Sequence, residues 1–179
     1  KNTSYKSKSN TLHIGICSQF LNDTHVVGKL YIKVLLDLLK TDLEITIYIP
    51  PGSKNNNGQD IIRKSFNRVI DLPKSPINSR EIISNDNLDL LFYPDIGMSP
   101  YTYILSLSRL ALVQVNSIGH TNTSGIQNMD YLITTEIEKN KSDQQFTESI
   151  VGFSRLPFNY SIPKINKAKL STTKIIMSG

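Results

Sequence analysis

Apolar residues occur along this chain in short runs, each closed by a polar or Pro/Gly-bearing turn and most followed by a stretch of helical period. Residues 12–17 form the first run and read as a strand; over 27–40, Leu30, Val34, Leu35 and Leu38 recur at helical spacing, as in an amphipathic helix. Over 43–49, Leu43, Ile45, Ile47 and Ile49 alternate with other residues and stop at Pro50-Pro51-Gly52, the pattern of a strand ended by a turn. A polar loop over 53–59 follows, with the run Asn55 to Asn57 read as a loop tip. A helix over 60–66, a short strand over 69–72, a short helix over 79–84 and a strand over 88–93 come next. A helix-like segment over 101–110, a strand at Val113-Gln114-Val115, a strand over 131–134 and an extension over 149–156 complete the pattern.

Such alternation predicts an α/β fold: a doubly wound, Rossmann-like, mostly parallel sheet, because each parallel crossover needs a helix to return the chain. At least four parallel strands are expected, with the uniformly apolar segments 14–17 and 90–92 internal. Stretch 90–125 is the most informative. It places two apolar strands directly before two polar, glycine-bearing turns, at Pro94-Asp95 and near Gly119-His120. Strand C-termini of a parallel sheet share one edge, so both turns can face one crevice.

Composition narrows the possible partners. Twenty Lys and Arg against fifteen Asp and Glu give a net charge of +5, but the basic residues are scattered or gathered at the chain ends. No basic stripe interleaved with aromatics runs through the body, so nucleic-acid binding is not expected. The single cysteine, Cys17, excludes an intrachain disulfide and lies in an apolar run, as a buried small hydrophobe would. That usage fits a reducing compartment. With neither a leader pattern nor a membrane-length apolar run, the expectation is a cytoplasmic protein without a membrane span. The three histidines lie far apart and no Asp-Xaa-Asp occurs, so no metal is expected.

Five blocks in order carry a family resemblance: HIGICSQFLNDTHVVGKL at 13–30, YPDIGMSPYTY at 93–103, SRLALVQ at 108–114, IGHTNTSGIQNMDYLIT at 118–134 and RLPFNYSIP at 155–163. Together they resemble the amino-terminal catalytic lobe of the O-GlcNAc-transferase-like glycosyltransferases, family 41, over most of 12–163. The resemblance implies a GT-B enzyme transferring a sugar from a UDP-sugar donor to a protein or peptide acceptor. The present lobe would mainly shape the acceptor side. At 179 residues the chain is too short for both lobes. Residues 1–10, polar and rich in Ser and Lys, read as an entry or linker, 11–163 as the Rossmann-like lobe, and 164–179 as a connector and the start of a missing second lobe. That lobe would hold the UDP, leaving these residues alone catalytically silent.

Candidate site residues follow. His25 lies just after the first strand and at the start of the first helix, where helix N-terminal amides help hold a polar ligand. The resemblance matches it to an active-site histidine, although Lys29 stands where that family often has a second one. A capping or surface histidine is the competing reading. Asp95, after Pro94, could orient a sugar hydroxyl or simply cap its turn. Asp89 is a weaker candidate. Gly119, His120, Thr121, Thr123, Ser124 and Gly125 match the family's substrate-binding loop, which would offer hydroxyls and amides to the sugar or acceptor. They would equally suit a Ser/Thr turn held by its own hydrogen bonds. No Gly-rich phosphate cradle is present. The competing function is a non-catalytic α/β module that binds a ligand or partner.

Overall fold

The computed structural model describes residues 11–117, 123–137, 139 and 146–159. Its elements run β1 (His13–Cys17), α1 (Val26–Leu38), β2 (Glu44–Ile49), α2 (Asn57–Ser65), β3 (Arg68–Asp71) and α3 (Pro76–Asn85). They continue with β4 (Leu88–Tyr93), α4 (Pro100–Ser106), β5 (Ala111–Ser117), β6 (Tyr131–Thr135) and β7 (Ser149–Phe153). The strands form one seven-stranded sheet in the order β3-β2-β1-β4-β5-β6-β7. Every pairing is parallel. This is the expected doubly wound, Rossmann-like architecture, and β1 and β4 are internal neighbours as their apolar runs require. Strand order reverses between them, which makes their C-terminal ends the topological switch point where open α/β sheets collect ligands.

Helices cover both faces. On one, Ile16, Ile45 and Ile47 of the sheet meet Val27, Tyr31 and Leu35 of α1 and Ile62 of α2. On the other, Leu91 and Tyr93 meet Ile83 of α3 and Leu105 of α4. With this double cover, the alternation along β2 separates no wet face from a dry one. Thr46 and Tyr48 are as fully buried as Ile47.

Several boundaries move for local reasons. The asparagine run is a helix start and not a loop tip, because the Asn56 side chain accepts from the Gln59 N–H and caps α2. Helix α3 starts three residues before the expected 79–84, with Ser75 as N-cap and Pro76 in its first turn, where a missing N–H costs nothing. Helix α4 is shorter than the expected 101–110. The Leu110 N–H is taken by the Gln114 side chain at 2.8 Å and is unavailable to a helix.

Among the described residues no helix is long and apolar enough to cross a membrane. The expected lead-in at 1–10 and connector at 164–179 lie outside the described residues.

Candidate functional site

The loop after β1 and the turn after β4 are sewn together at the switch point. Asp95, fully buried, accepts a hydrogen bond through Oδ2 from the Gln19 backbone N–H at 2.9 Å and from the Ser18 hydroxyl at 3.2 Å. Ser99, from the same turn, donates its hydroxyl to the Gln19 side-chain oxygen at 2.6 Å. The other Asp95 oxygen, Oδ1, has no partner. The nearby Thr102 hydroxyl is given to the Ser99 carbonyl at 3.2 Å. Burial pushes the Asp95 carboxyl up to about 6, against the opposing pull of its hydrogen bonds from Gln19 and Ser18. The turn is closed by the Asp95 backbone carbonyl, which accepts from Met98 N–H at 3.0 Å, while Gly97 takes a φ of 89°. Asp95 thus closes its turn with the main chain and holds the β1 loop with the side chain.

His25 is presented by a second small network. Asn22 Oδ1 accepts from the Thr24 N–H at 3.2 Å, the Thr24 hydroxyl at 2.8 Å and the His25 N–H at 3.0 Å, folding the loop into an Asx turn. The loop is seated hard on α1: a Cβ at Gly28 would lie 1.8 Å from the Asn22 carbonyl oxygen. His25 is the N-cap of α1, its Nδ1 accepting from the Val27 N–H at 3.2 Å. Its ring stacks on Phe20 with centroids 4.1 Å apart and planes 14° from parallel. Desolvation, then Lys54 and Lys29, lower its pKa, so the ring is neutral near pH 7. With Nδ1 accepting, the proton of the neutral ring is on Nε2, which is therefore a donor. The capping reading of His25 is thus correct for one nitrogen and leaves the other free. The ring lines a cavity of about 200 Å³ with Gln19, Phe20, Asn22, Thr24, Gly52 and Lys54.

A second cavity, about 220 Å³, opens at the ends of β4 and β5, lined by Ile96, Gly97, Tyr103, Asn116, Ser117, Thr123 and Ser124. Thr123 and Ser124 belong to a turn braced by its own hydroxyls: Gly125 N–H donates to Thr123 Oγ1 and Ile126 N–H to Ser124 Oγ, each at 3.2 Å. Gly125 holds a φ of 66°, a conformation glycine adopts without strain. Glu148, just before β7, anchors the turn. It accepts from the Thr123 hydroxyl at 2.7 Å, from the Ser124 N–H at 2.8 Å and from the Ser124 hydroxyl. Desolvation raises its pKa, but these bonds outweigh it and hold the carboxyl below its ordinary value. Gly119, His120 and Thr121 lie outside the described residues.

Of the described candidates, His25, Asp95, Thr123 and Ser124 gather on one sheet edge but line separate cavities, His25 in the first and Thr123 with Ser124 in the second. Asp95 sits between them, bonded to Gln19 of the first wall and followed in the chain by Ile96 and Gly97 of the second. Asp89 is excluded from this edge: it opens β4 and accepts from the His13 N–H at 2.8 Å, at the opposite end of the strands. Lys54, Asn116 and Glu148 were not singled out from the sequence. Lys54 follows the Pro-Pro-Gly turn after β2 and could have been found from that position. Glu148 lies 24 residues from Ser124, and only the β6–β7 register brings it there. No group of three or more His, Cys, Asp or Glu able to hold a metal ion occurs among the described residues.

No protein-family model and no curated protein matches the chain. Among solved structures, it is similar to a mutant O-GlcNAc transferase of Thermobaculum terrenum, with a TM-score of 0.70 and 24% identity, covering 87% of this chain and 30% of that one. The likeness shows a shared Rossmann-like fold. The chain spans less than a third of that transferase's length.

Proposed function

We propose that the chain is the amino-terminal lobe of an inverting glycosyltransferase that moves a sugar from a UDP-sugar to a protein side chain, this lobe shaping the acceptor side. The observation that carries the reading is His25 at the switch-point crevice: a neutral imidazole, locked by its own helix cap, with Nε2–H left to donate. Likeness in fold to an O-GlcNAc transferase supports the same reading. In the reaction, the acceptor oxygen or nitrogen forms a bond to the anomeric carbon as the bond from that carbon to the diphosphate oxygen breaks, and the acceptor proton leaves with the departing diphosphate. Because Nδ1 is committed to the Val27 N–H, His25 acts here by holding and polarising a substrate oxygen through Nε2–H. Its role is not to take the acceptor proton. The departing diphosphate would be stabilised without a metal, by cationic side chains and helix N-termini of a second lobe. Asp95 serves as a positioning residue for the loop that carries His25. The loop that the resemblance matches, Gly119, His120, Thr121, Thr123, Ser124 and Gly125, would serve the sugar or acceptor from the neighbouring cavity, which Thr123 and Ser124 line.

One observation favours the second reading, a non-catalytic binding module: the Thr123 and Ser124 hydroxyls are already bonded to Glu148. Transfer assays separate the two. The intact gene product, given labelled UDP-sugars and peptides containing Ser, Thr or Asn, should label a peptide. Binding without transfer across the UDP-hexose and UDP-N-acetylhexosamine donors would establish the module instead.

A further inference from the structure

The cavity beside His25 has a one-sided wall. Three of its side chains carry both an acceptor and a donor, and in each the acceptor is already used. Gln19 Oε1 takes the Ser99 hydroxyl at 2.6 Å, leaving the amide Nε2 as its remaining polar group. Asn22 Oδ1 takes the Thr24 N–H, the Thr24 hydroxyl and the His25 N–H, leaving Nδ2. His25 Nδ1 takes the Val27 N–H, leaving Nε2–H. Lys54 adds an ammonium, which donates only. Thr24 is the exception: its hydroxyl proton is given to Asn22, so its oxygen can still accept.

Charge points the same way. No Asp or Glu is among the described residues of the wall, and Lys54 makes no ion pair among the described residues. Asp95 bonds to the Gln19 main chain but is not part of the wall. The charges that act on the His25 ring are those of Lys54 and Lys29, both cationic. The turn after β2 also lies close to the amide: a Cβ on Gly52, two residues before Lys54, would be 3.0 Å from Gln19 Nε2. A wall of donors with one unpaired cation suits a group that only accepts, an oxyanion. A single ammonium balances one carboxylate and leaves much of a diphosphate's charge unmatched. The volume of about 200 Å³ equals roughly seven waters, enough for an acidic side chain and too little for a nucleotide.

We propose that Lys54, with the Gln19 and Asn22 amides, seats the carboxylate of an Asp or Glu close in sequence to the modified residue, so that the protein selects acidic acceptor segments. That the carboxylate belongs to an acceptor rests on the proposed transfer reaction; the anion seat itself rests on the committed acceptor atoms and the unpaired lysine. His25 Nε2–H stays with the substrate oxygen at the reacting end.

The test compares three peptides that share one Ser, Thr or Asn acceptor and carry Glu, Gln or Lys on either side of it. With the intact gene product and a UDP-sugar, the Glu peptide should show a KM about tenfold below that of the Gln peptide, the scale of one charge-assisted hydrogen bond, and the gap should narrow in 0.5 M salt. Lys54→Glu, at an exposed position, should reverse the order and favour the Lys peptide, a reversal that loss of folding does not produce. Equal KM values for the three peptides, or the same order in Lys54→Glu as in the wild type, would overturn the proposal. The transfer reading fails separately, when no peptide is labelled. The seat is then judged by titrating the 179-residue chain with the same peptides and with inorganic phosphate, followed by the amide shifts of Gln19, Gly52 and Lys54. Tighter binding of the Glu peptide than of the Gln peptide upholds the seat without the reaction; equal affinities, no saturable shift, or tighter binding of phosphate removes it.

Discussion

Asp95 Oδ2 accepts the Gln19 backbone N–H at 2.9 Å, and this bond joins the turn after β4 to the loop after β1 across the point where strand order reverses. A carboxylate in that place is poorly solvated, and its pH behaviour follows. Its native value of about 6 stands above the ordinary 3.8. A raised acid contributes stability that is complete below its unfolded value and is lost as pH rises through its folded one. Unfolding free energy should therefore carry a component of about 3 kcal/mol that disappears between pH ~4 and ~6. Asp95→Asn keeps an acceptor for Gln19 and cannot ionise, so it should exceed the wild type at pH 8 and converge with it at pH 4. Urea unfolding of both proteins across this range checks the claim; parallel profiles would mean that Asp95 is ionised and well solvated in the fold.

Glu148 should behave in the opposite sense. Its folded pKa is below the ordinary value, so its contribution is complete above pH ~4.5 and is lost as pH falls through the folded value. Glu148→Ala strips partners from the Ser124 N–H and from the Thr123 and Ser124 hydroxyls, at a cost of about 1–3 kcal/mol. Hydrogen exchange at the Ser124 amide should accelerate with it. Unaltered exchange would show that the turn stands without its anchor.

Gly28→Ala drives a methyl group into the Asn22 carbonyl at 1.8 Å. Backbone must move, so the loss should reach about 3 kcal/mol or more. Thermal unfolding measures it, and an unchanged midpoint would mean that the β1 loop is not seated on α1.

Cys17 is fully buried, and burial, reinforced by Asp95, pushes its thiol well above the ordinary range. Thiol reagents at pH 8 should leave the native protein unlabelled and modify one equivalent in urea. Rapid labelling without denaturant would place the residue at a mobile edge.

Most of the fold was legible because parallel strands buried on both faces write themselves as unbroken apolar runs. The segments 14–17 and 90–92 are central for that reason. Less legible were features decided by one side chain: Asn56 capping α2, or Gln114 taking the Leu110 N–H and keeping that residue out of α4. The sheet edge on which the candidate residues lie followed from the same alternation, since His25 and Asp95 each follow a strand. Its partners did not. Asn116 sits inside a strand, where a polar residue reads as noise, and Glu148 reaches Ser124 only through sheet register.

The most direct test of the account is the rate of sugar transfer by the intact gene product carrying His25→Asn. Asparagine caps helices well, so α1 and the thermal midpoint should be preserved while the Nε2–H donor is lost. Initial rates with a UDP-sugar and a Ser/Thr- or Asn-containing peptide should fall roughly 10²-fold or more, the scale of one preorganised donor in an active site. Wild-type rates in this variant would leave His25 as a helix cap alone and contradict the proposed mechanism.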